Sequence, residues 1–419
     1  MSRSLFVLVL LGGVASLRAV APPVSETPGA VRLGSDRLRI GDEGFVVVPN
    51  GRVLASGEVG GVCLWDLPSG KVRRRFEYAE YTSGVPHAFC PESRWLAVSL
   101  SKGRDLSSSF GVLDVKTGKR LPLLEHDGQS RFNALTAAFS NRGRSICCLA
   151  PQRSQAFLAY RGDFHVWALP SGKELMRIQD VTRFLTAPES DVIVIQHEDG
   201  SVSIRRDGKL RQIDGIRSDK WYNDDLVLSP DGRLLAWVRK DGESLTGTGK
   251  KRPDEISMWD TATRKRLRVF RGPIPRSGKT SGGANPPTIA KSSFFGPPPS
   301  FTSYFFSSAD TFCEVVGEKF FLFDARTGRA LTTAPIPCRG LPAFTKDGAE
   351  VAFVRPDGRV EVRRVDGKGP TTVLRGTPPH VRRVLFVNGG KGILVQGADR
   401  IGPLGFFDIL NENNDPIEG

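Results

Sequence analysis

The chain has 419 residues and a formal net charge of +14. Its apolar share of 39% and charged share of 25% are ordinary for a globular protein. With 46 Gly and 29 Pro against 3 Met, the composition argues for many turns and excludes a chain built of long helices. Length alone suggests two or three domains, but repeat architectures break that rule, so internal periodicity is sought first.

The N-terminus reads MSRSLFVLVLLGGVASLRAVAPP. Arg3 supplies a short positive region, an apolar run from Leu5 to Leu11 follows, and Ala19 and Ala21 stand in A-x-A spacing. This layout predicts a secretory signal peptide over residues 1–21. Pro22 fits poorly after a cut at Ala21, so cleavage near Ser16 is an equal alternative. The run is short for a bilayer span, and an N-terminal membrane anchor is the second reading. No other long apolar run occurs. The expectation is an exported protein, periplasmic or extracellular, with a loose leader over 22–31. Export would permit disulfides. However, Cys63, Cys90, Cys147, Cys148, Cys313 and Cys338 are scattered through apolar strand-like runs, with no metal spacing. They read as buried free thiols.

From residue 61 the stretch GVCLWDLPSGK combines an apolar strand ending in Trp65-Asp66 with a tight turn. Similar units start at Phe110, Phe164, Ser201, Ile256, Phe320 and Arg359, and a worn copy at Leu404. A second signature recurs as often: short turns between apolar runs at PNGR (49), PESR (91), NRGR (141), PESD (188), PDGR (230), SSAD (307), KDGA (346) and NGGK (388). Asn-Gly and Asp-Gly suit such reversals because they tolerate positive φ and Asx turns. Each unit reads strand a, turn, strand b, connection, strand c, turn, strand d. Most span about 40 to 55 residues, the period of a four-stranded propeller blade. No long 3.6-residue apolar period appears, so no major helix is predicted.

These units resemble the WD-repeat β-propeller family, with the flavour of bacterial secreted members, over roughly residues 32–410. The carriers are Trp65-Asp66 and Trp259-Asp260, with weaker Leu113-Asp114, Trp167, Phe323-Asp324 and Phe407-Asp408. The family's Gly-His pair before strand a is not intact; only displaced His126 and His380 remain. The resemblance implies an all-β fold: a single propeller of four-stranded blades, eight in number or alternatively seven. An N-terminal strand would complete the last blade, with Arg37–Gly41 pairing against GFFDIL near the C-terminus, and residues 411–419 forming a tail. Asp66, Asp114, Asp260, Asp324 and Asp408 are expected to accept backbone N–H bonds in the turns that follow them.

Strands in a blade alternate direction, so the a–b and c–d turns share one end and the b–c and d–a connections the other. The first set is short. The second holds the insertions: 101–109, 151–162, 214–224, 241–254 and the long Pro/Gly/Ser-rich stretch 272–300, expected to be disordered. Function tends to live on variable loops held by a rigid scaffold. The candidate partner-binding residues on that face are Arg104, Arg153, Tyr160, Arg161, Arg217, Lys220, Trp221, Tyr222, Lys250, Lys251, Arg252 and Arg355. Arg and aromatic side chains dominate interface energetics. The basic runs Arg73–Arg75 and Arg264–Arg266 fall on or near outer strands and read as a solvated, charge-protected edge.

RSGKTSGG near residue 278 imitates a phosphate loop but fails it. Five residues, not four, separate Gly272 from Gly278, and Pro273 and Pro275 exclude a strand feeding a helix. The histidines, His87, His126, His165, His197 and His380, form no metal-binding pair. A site built on His197, Glu198 and Asp199 at the channel mouth is the one catalytic arrangement worth weighing. The sequence calls for no catalytic residues, no cofactor and no metal. The favoured function is a monomeric, non-catalytic scaffold binding a protein or an anionic envelope polymer through the insertion-bearing face. Charge alone would permit nucleic acid, but export argues against it. The alternative is a propeller enzyme, a hydrolase or lyase or a quinone-type oxidoreductase, with its site at the mouth of the channel.

Overall fold

The structure, a computed structural model, describes residues 30–33, 45–48, 51–67, 71–102, 107–126, 136–151, 161–217, 224–239, 255–271, 302–316, 318–332, 334–374, 381–387, 390–397 and 404–408. No α-helix occurs among them. Strand β1 (Ala30–Leu33) stands apart from its sequence neighbours. Then β2 (Phe45–Val47), β3 (Val53–Glu58), β4 (Gly61–Asp66) and β5 (Lys71–Glu77) form one antiparallel sheet in chain order. The plan repeats in β6 (Ser83–Phe89), β7 (Trp95–Lys102), β8 (Ser107–Asp114) and β9 (Arg120–His126).

A seven-stranded sheet follows: β10 (Thr136–Ser140), β11 (Ser145–Pro151), β12 (Gly162–Ala168), β13 (Glu174–Thr186), β14 (Ile193–His197), β15 (Ser201–Arg206) and β16 (Lys209–Arg217). It is two repeats that share a strand. The first half of β13 pairs with β12 and the second half with β14, and the strand turns between them at Asp180, where φ is 57°. Three more four-stranded sheets complete the series. The first is β17 (Asp224–Leu228), β18 (Leu234–Arg239), β19 (Glu255–Asp260) and β20 (Arg266–Arg271). The second is β21 (Thr302–Phe306), β22 (Thr311–Val316), β23 (Lys319–Asp324) and β24 (Ile336–Pro337). The third is β25 (Arg339–Phe344), β26 (Glu350–Val354), β27 (Val360–Arg364) and β28 (Thr372–Val373).

The chain ends in β29 (Val381–Val387), β30 (Gly392–Gly397) and β31 (Leu404–Asp408), and β1 adds antiparallel to β31. An N-terminal strand thus completes the last sheet. Its residues differ from the expectation: Ala30 pairs with Phe407 and Leu33 with Leu404, so the closing strand lies ahead of Arg37–Gly41, which falls outside the described residues. The sheet therefore also begins just before residue 32. The expected disorder of 272–300 and the 411–419 tail likewise lie outside the described residues.

The burial pattern explains why this sequence builds stacked sheets. In β3 and β4 both faces are buried, whereas β5 exposes all but Phe76. A strand apolar on both faces needs a neighbour on each side, and the apolar clusters show where the neighbours are. One cluster joins β2–β4 to Val387 and Leu394 of the last sheet. Another joins β3 and β4 to Phe89, Leu96 and Leu113. The series continues from sheet to sheet through Phe110 with Trp167, Ile204 with Trp259, and Met258 with Phe312. It runs on through Phe320 with Phe353 and returns through Val362 with Val384. Each sheet packs on the next and the last packs on the first, which is a propeller. Phe110, Phe164, Phe312 and Phe320 are fully buried in these seams. Each contributes about 2–3 kcal/mol relative to an exposed ring. All six cysteines are buried and unpaired.

Candidate interaction face

The eight tight turns read in the sequence each join the first and second strands of a repeat. They share one end of the ring with the turns between third and fourth strands. We call this the turn end, and the opposite end the rim.

At the turn end the Asp residues organise the backbone. Asp114 Oδ1 accepts from the Lys116 and Thr117 N–H groups at 3.0 and 2.9 Å. Asp324 Oδ1 accepts from Arg326 N–H at 3.1 Å, Thr327 N–H at 2.7 Å and Thr327 Oγ1 at 2.8 Å. Asp260 does the same with Thr263. The Thr327 N–H holds the Asp324 carboxyl below the usual carboxylate range. For Asp114 burial pushes upward, and the hydrogen bonds from Thr117, Arg94 and Lys116 outweigh it. The Asp66 turn is described only in part, and for Asp408 only the backbone is described.

The Trp slots differ from one another. Trp65 Nε1 donates to Ser56 Oγ at 2.9 Å. Ser56 sits two residues beyond Leu54, the cross-strand partner of Trp65. In the β17–β20 sheet the corresponding place, two beyond Leu235, holds Trp237, and the buried Trp259 Nε1 has no partner among the described residues. Trp167 instead stacks on His165, with ring centroids 5.1 Å apart and planes within 4°. His165 Nδ1 lies 2.6 Å from Glu174 Oε1.

Side chains also latch sheet to sheet at this end. Arg74 of β5 donates to the carbonyls of Lys116 and Thr117 in the neighbouring sheet's turn, at 2.6 and 3.1 Å. Arg268 of β20 donates to Thr327 O at 2.7 Å in the same way. Phe76 and Phe270, two residues further along, lie against Gly118 and Gly328 of those turns. The sequence placed Arg74 on a solvated edge; the structure uses it to bind the neighbouring sheet. Glu189 and Lys346, on turns of repeats three places apart in the ring, form an ion pair of 2.7 Å.

The rim receives most of the long connections; 325–335, between β23 and β24 at the turn end, is the exception. The strand order puts residues 103–106, 152–160, 240–254 and 398–403 between second and third strands. Residues 127–135, 218–223, 272–301 and 375–380 lie between a fourth strand and the next first strand. Arg104, Arg153, Tyr160, Lys220, Trp221, Tyr222, Lys250, Lys251 and Arg252 are in these connections, outside the described residues.

Of the described candidates, Arg161 and Arg217 flank one turn. Arg161 Nη1 is 2.9 Å from Glu198 and 3.9 Å from Asp180. Arg217 is exposed and pairs across the strands with Ser201. Arg355 lies in another repeat, 3.5 Å from both Glu361 and Asp357. Arg161 and Arg355 are therefore locally neutralised, and the three candidates do not converge. Nor do the residues weighed for catalysis. His197 Nε2 bonds Ser203 Oγ at 2.9 Å, Glu198 takes Arg161, and Asp199 accepts from Ser201 within its own turn. His87 bonds Ser99 Oγ at 2.7 Å, and burial lowers its pKa to about 4. Val59, 92% exposed, is the most exposed large apolar side chain among the described residues, and it sits on the rim turn between β3 and β4. No group of three or more His, Cys, Asp or Glu suited to a metal ion occurs among the described residues. No helix there is long and apolar enough to cross a membrane.

No family model matches the chain, and no match was found among curated proteins. Solved structures do match. The C-terminal WD40 domain of Sif2 is 12% identical with a TM-score of 0.56, covering 88% of this chain and 95% of that one. A eukaryotic initiation factor is 12% identical with a TM-score of 0.56, covering 93% and 88%. The computationally designed Ika8 protein is 17% identical with a TM-score of 0.53, covering 85% and 93%. At these identities the likeness concerns architecture, and it is shared by 1367 matching chains, too many to point to one activity. The chain has a WD40-like β-propeller fold.

Proposed function

We propose that this propeller is an exported, non-catalytic scaffold that binds a protein or an anionic envelope polymer through its rim, in the periplasm or outside the cell. In this reading the ring has eight blades, the seven-stranded sheet counting as two, and works as a monomer. The observation that carries the proposal is the one-sided placement of the insertions: apart from 325–335 between β23 and β24, every connection longer than seven residues leaves the rim. WD40-like folds generally serve protein interaction, which supports the scaffold reading by analogy. The net charge of +14 favours an acidic partner. The N-terminal A-x-A layout supports export.

The test is capture from an envelope extract of the native host. It compares the wild-type protein with a rim variant carrying Lys251→Glu, Arg252→Glu and Trp221→Ala. A turn-end control carries Lys119→Glu and Lys173→Glu, so both variants change the charge equally. The scaffold reading expects a ligand held by the wild type and the control and lost by the rim variant. Equal retention by all three would move binding off the rim. A chromogenic substrate turned over by the wild type would instead favour an enzyme.

A further inference from the structure

The direction of β1 decides which end of the ring the N-terminal apolar run is tied to. Gly392 opens β30 directly after the tight turn 388–391 and pairs with Asp408, so Asp408 lies at the turn end. Ala30 pairs with Phe407, next to it, and Leu33 pairs with Leu404 towards the rim. Strand β1 therefore runs from the turn end to the rim along the outside of the last sheet, and the chain ahead of Ala30 joins the ring at the turn end. Residues 22–29 reach at most about 28 Å when extended. The apolar segment ahead of them is thus tethered to the turn end, away from the insertions. It brings a bilayer to this end whether it stays as an anchor or is cut after export.

The same end presents cations outward. Lys116, Lys119, Lys173, Lys265, Arg329 and Lys368 lie in the turns between third and fourth strands, and all are exposed. No ion pair among the described residues involves any of them; those at this end join Arg94 with Asp114, Arg326 with Asp310, Lys346 with Glu189 and Arg364 with Asp366. The carboxylates that open these turns, Asp114, Asp260 and Asp324, are turned onto N–H groups of their own turns. Towards the rim, by contrast, Arg75, Arg161, Arg177 and Arg239 each lie against a carboxylate. The turns between third and fourth strands form the outer circle of one face, so a flat surface meets their cations together. Each Lys or Arg within a Debye length of anionic lipid strengthens binding roughly fivefold. Stable attachment takes two signals, and an apolar segment with a basic patch is such a pair. We propose that the turn end docks on an anionic lipid surface, leaving the insertion-bearing rim turned away from the bilayer. The inference shares with the proposed function only the reading of the N-terminus as membrane-directed.

The test uses the full chain and phosphatidylcholine vesicles with or without phosphatidylglycerol. Sedimentation should show binding that phosphatidylglycerol strengthens and salt weakens. Lys119→Gln, Lys265→Gln and Arg329→Gln together should lower the affinity for the phosphatidylglycerol vesicles about a hundredfold. A control carrying Arg177→Gln, Arg239→Gln and Lys319→Gln loses the same charge nearer the rim and should bind as the wild type does. Orientation is read from a fluorophore on Ser171→Cys, in a turn-end loop, or on Val59→Cys, at the rim; the native cysteines are buried, so the added thiol takes the label. Brominated lipid should quench the Ser171 label and spare the Val59 label. Quenching of the Val59 label alone, or of both labels equally, would overturn the proposal. So would equal losses in the two charge variants, or no gain from phosphatidylglycerol. None of these results bears on capture at the rim, which the Lys251 and Arg252 substitutions test separately.

Discussion

The two ends of the propeller are built from different materials. At the turn end most connections are two to six residues long, 325–335 being the longest, and several backbones are pinned by Asp carboxylates. They press on their neighbours: a Cβ at Gly232 would lie 2.4 Å from Ser190 Oγ and 2.9 Å from Ala187 Cβ of the preceding repeat. At the rim the connections vary in length, and the described charges pair across exposed gaps, as Arg161 does with Glu198 and Asp180. The difference teaches a division of labour. Close packing at one end holds the ring, which frees the other end to carry sequence that the fold does not need.

The largest expected effect comes from filling the space at Gly232. Its φ is 73°, as is that of Gly208, which has nothing within 4 Å of its would-be Cβ. Gly232→Ala and Gly208→Ala therefore carry similar backbone strain, about 1 kcal/mol each. Only the first also carries a steric clash, so it should lose about 3 kcal/mol in all. Urea unfolding of the two variants isolates what close packing between repeats is worth; equal losses would mean that the turns do not hold each other. A smaller contrast compares latches. Arg268→Ala removes the bond to Thr327 O and should cost about 1 kcal/mol. Arg161→Ala breaks a rim ion pair and should cost about 0.5 kcal/mol or less. A larger loss at Arg161 than at Arg268 would reverse the division proposed for the two ends.

Much of the turn end was legible in the sequence because its chemistry is local. Asp-Gly and Asn-Gly pairs mark reversals, and an Asp after the strand caps the turn a few residues on. What crosses between repeats was not legible. Nothing in Arg73–Arg75 says that Arg74 reaches a carbonyl 42 residues away. The closing strand was misplaced for a related reason. Val31-Arg32-Leu33 and Leu38-Arg39-Ile40 share the same alternation of apolar and basic side chains, so period alone cannot say which segment meets β31. The shared strand β13 escaped notice because the usual connection is reduced there to a bend at Asp180. The orphaned indole of Trp259 follows from Trp237, a residue that reads as an ordinary strand apolar position until its register is known. On the rim the sequence located the insertions, and it overstated the free charge at Arg161 and Arg355, whose acidic partners come from other turns or across a strand pair.

The central claim is that the rim can be altered without disturbing the ring. The most direct measurement replaces residues 241–254, between β18 and β19, with a short Gly-Ser bridge and reads Tm and envelope-ligand capture on the same protein. The account predicts a Tm within about 2 °C of wild type, since a changed surface loop alters little closure entropy, together with lost capture. Full capture by the folded variant, or a Tm that collapses, would contradict it.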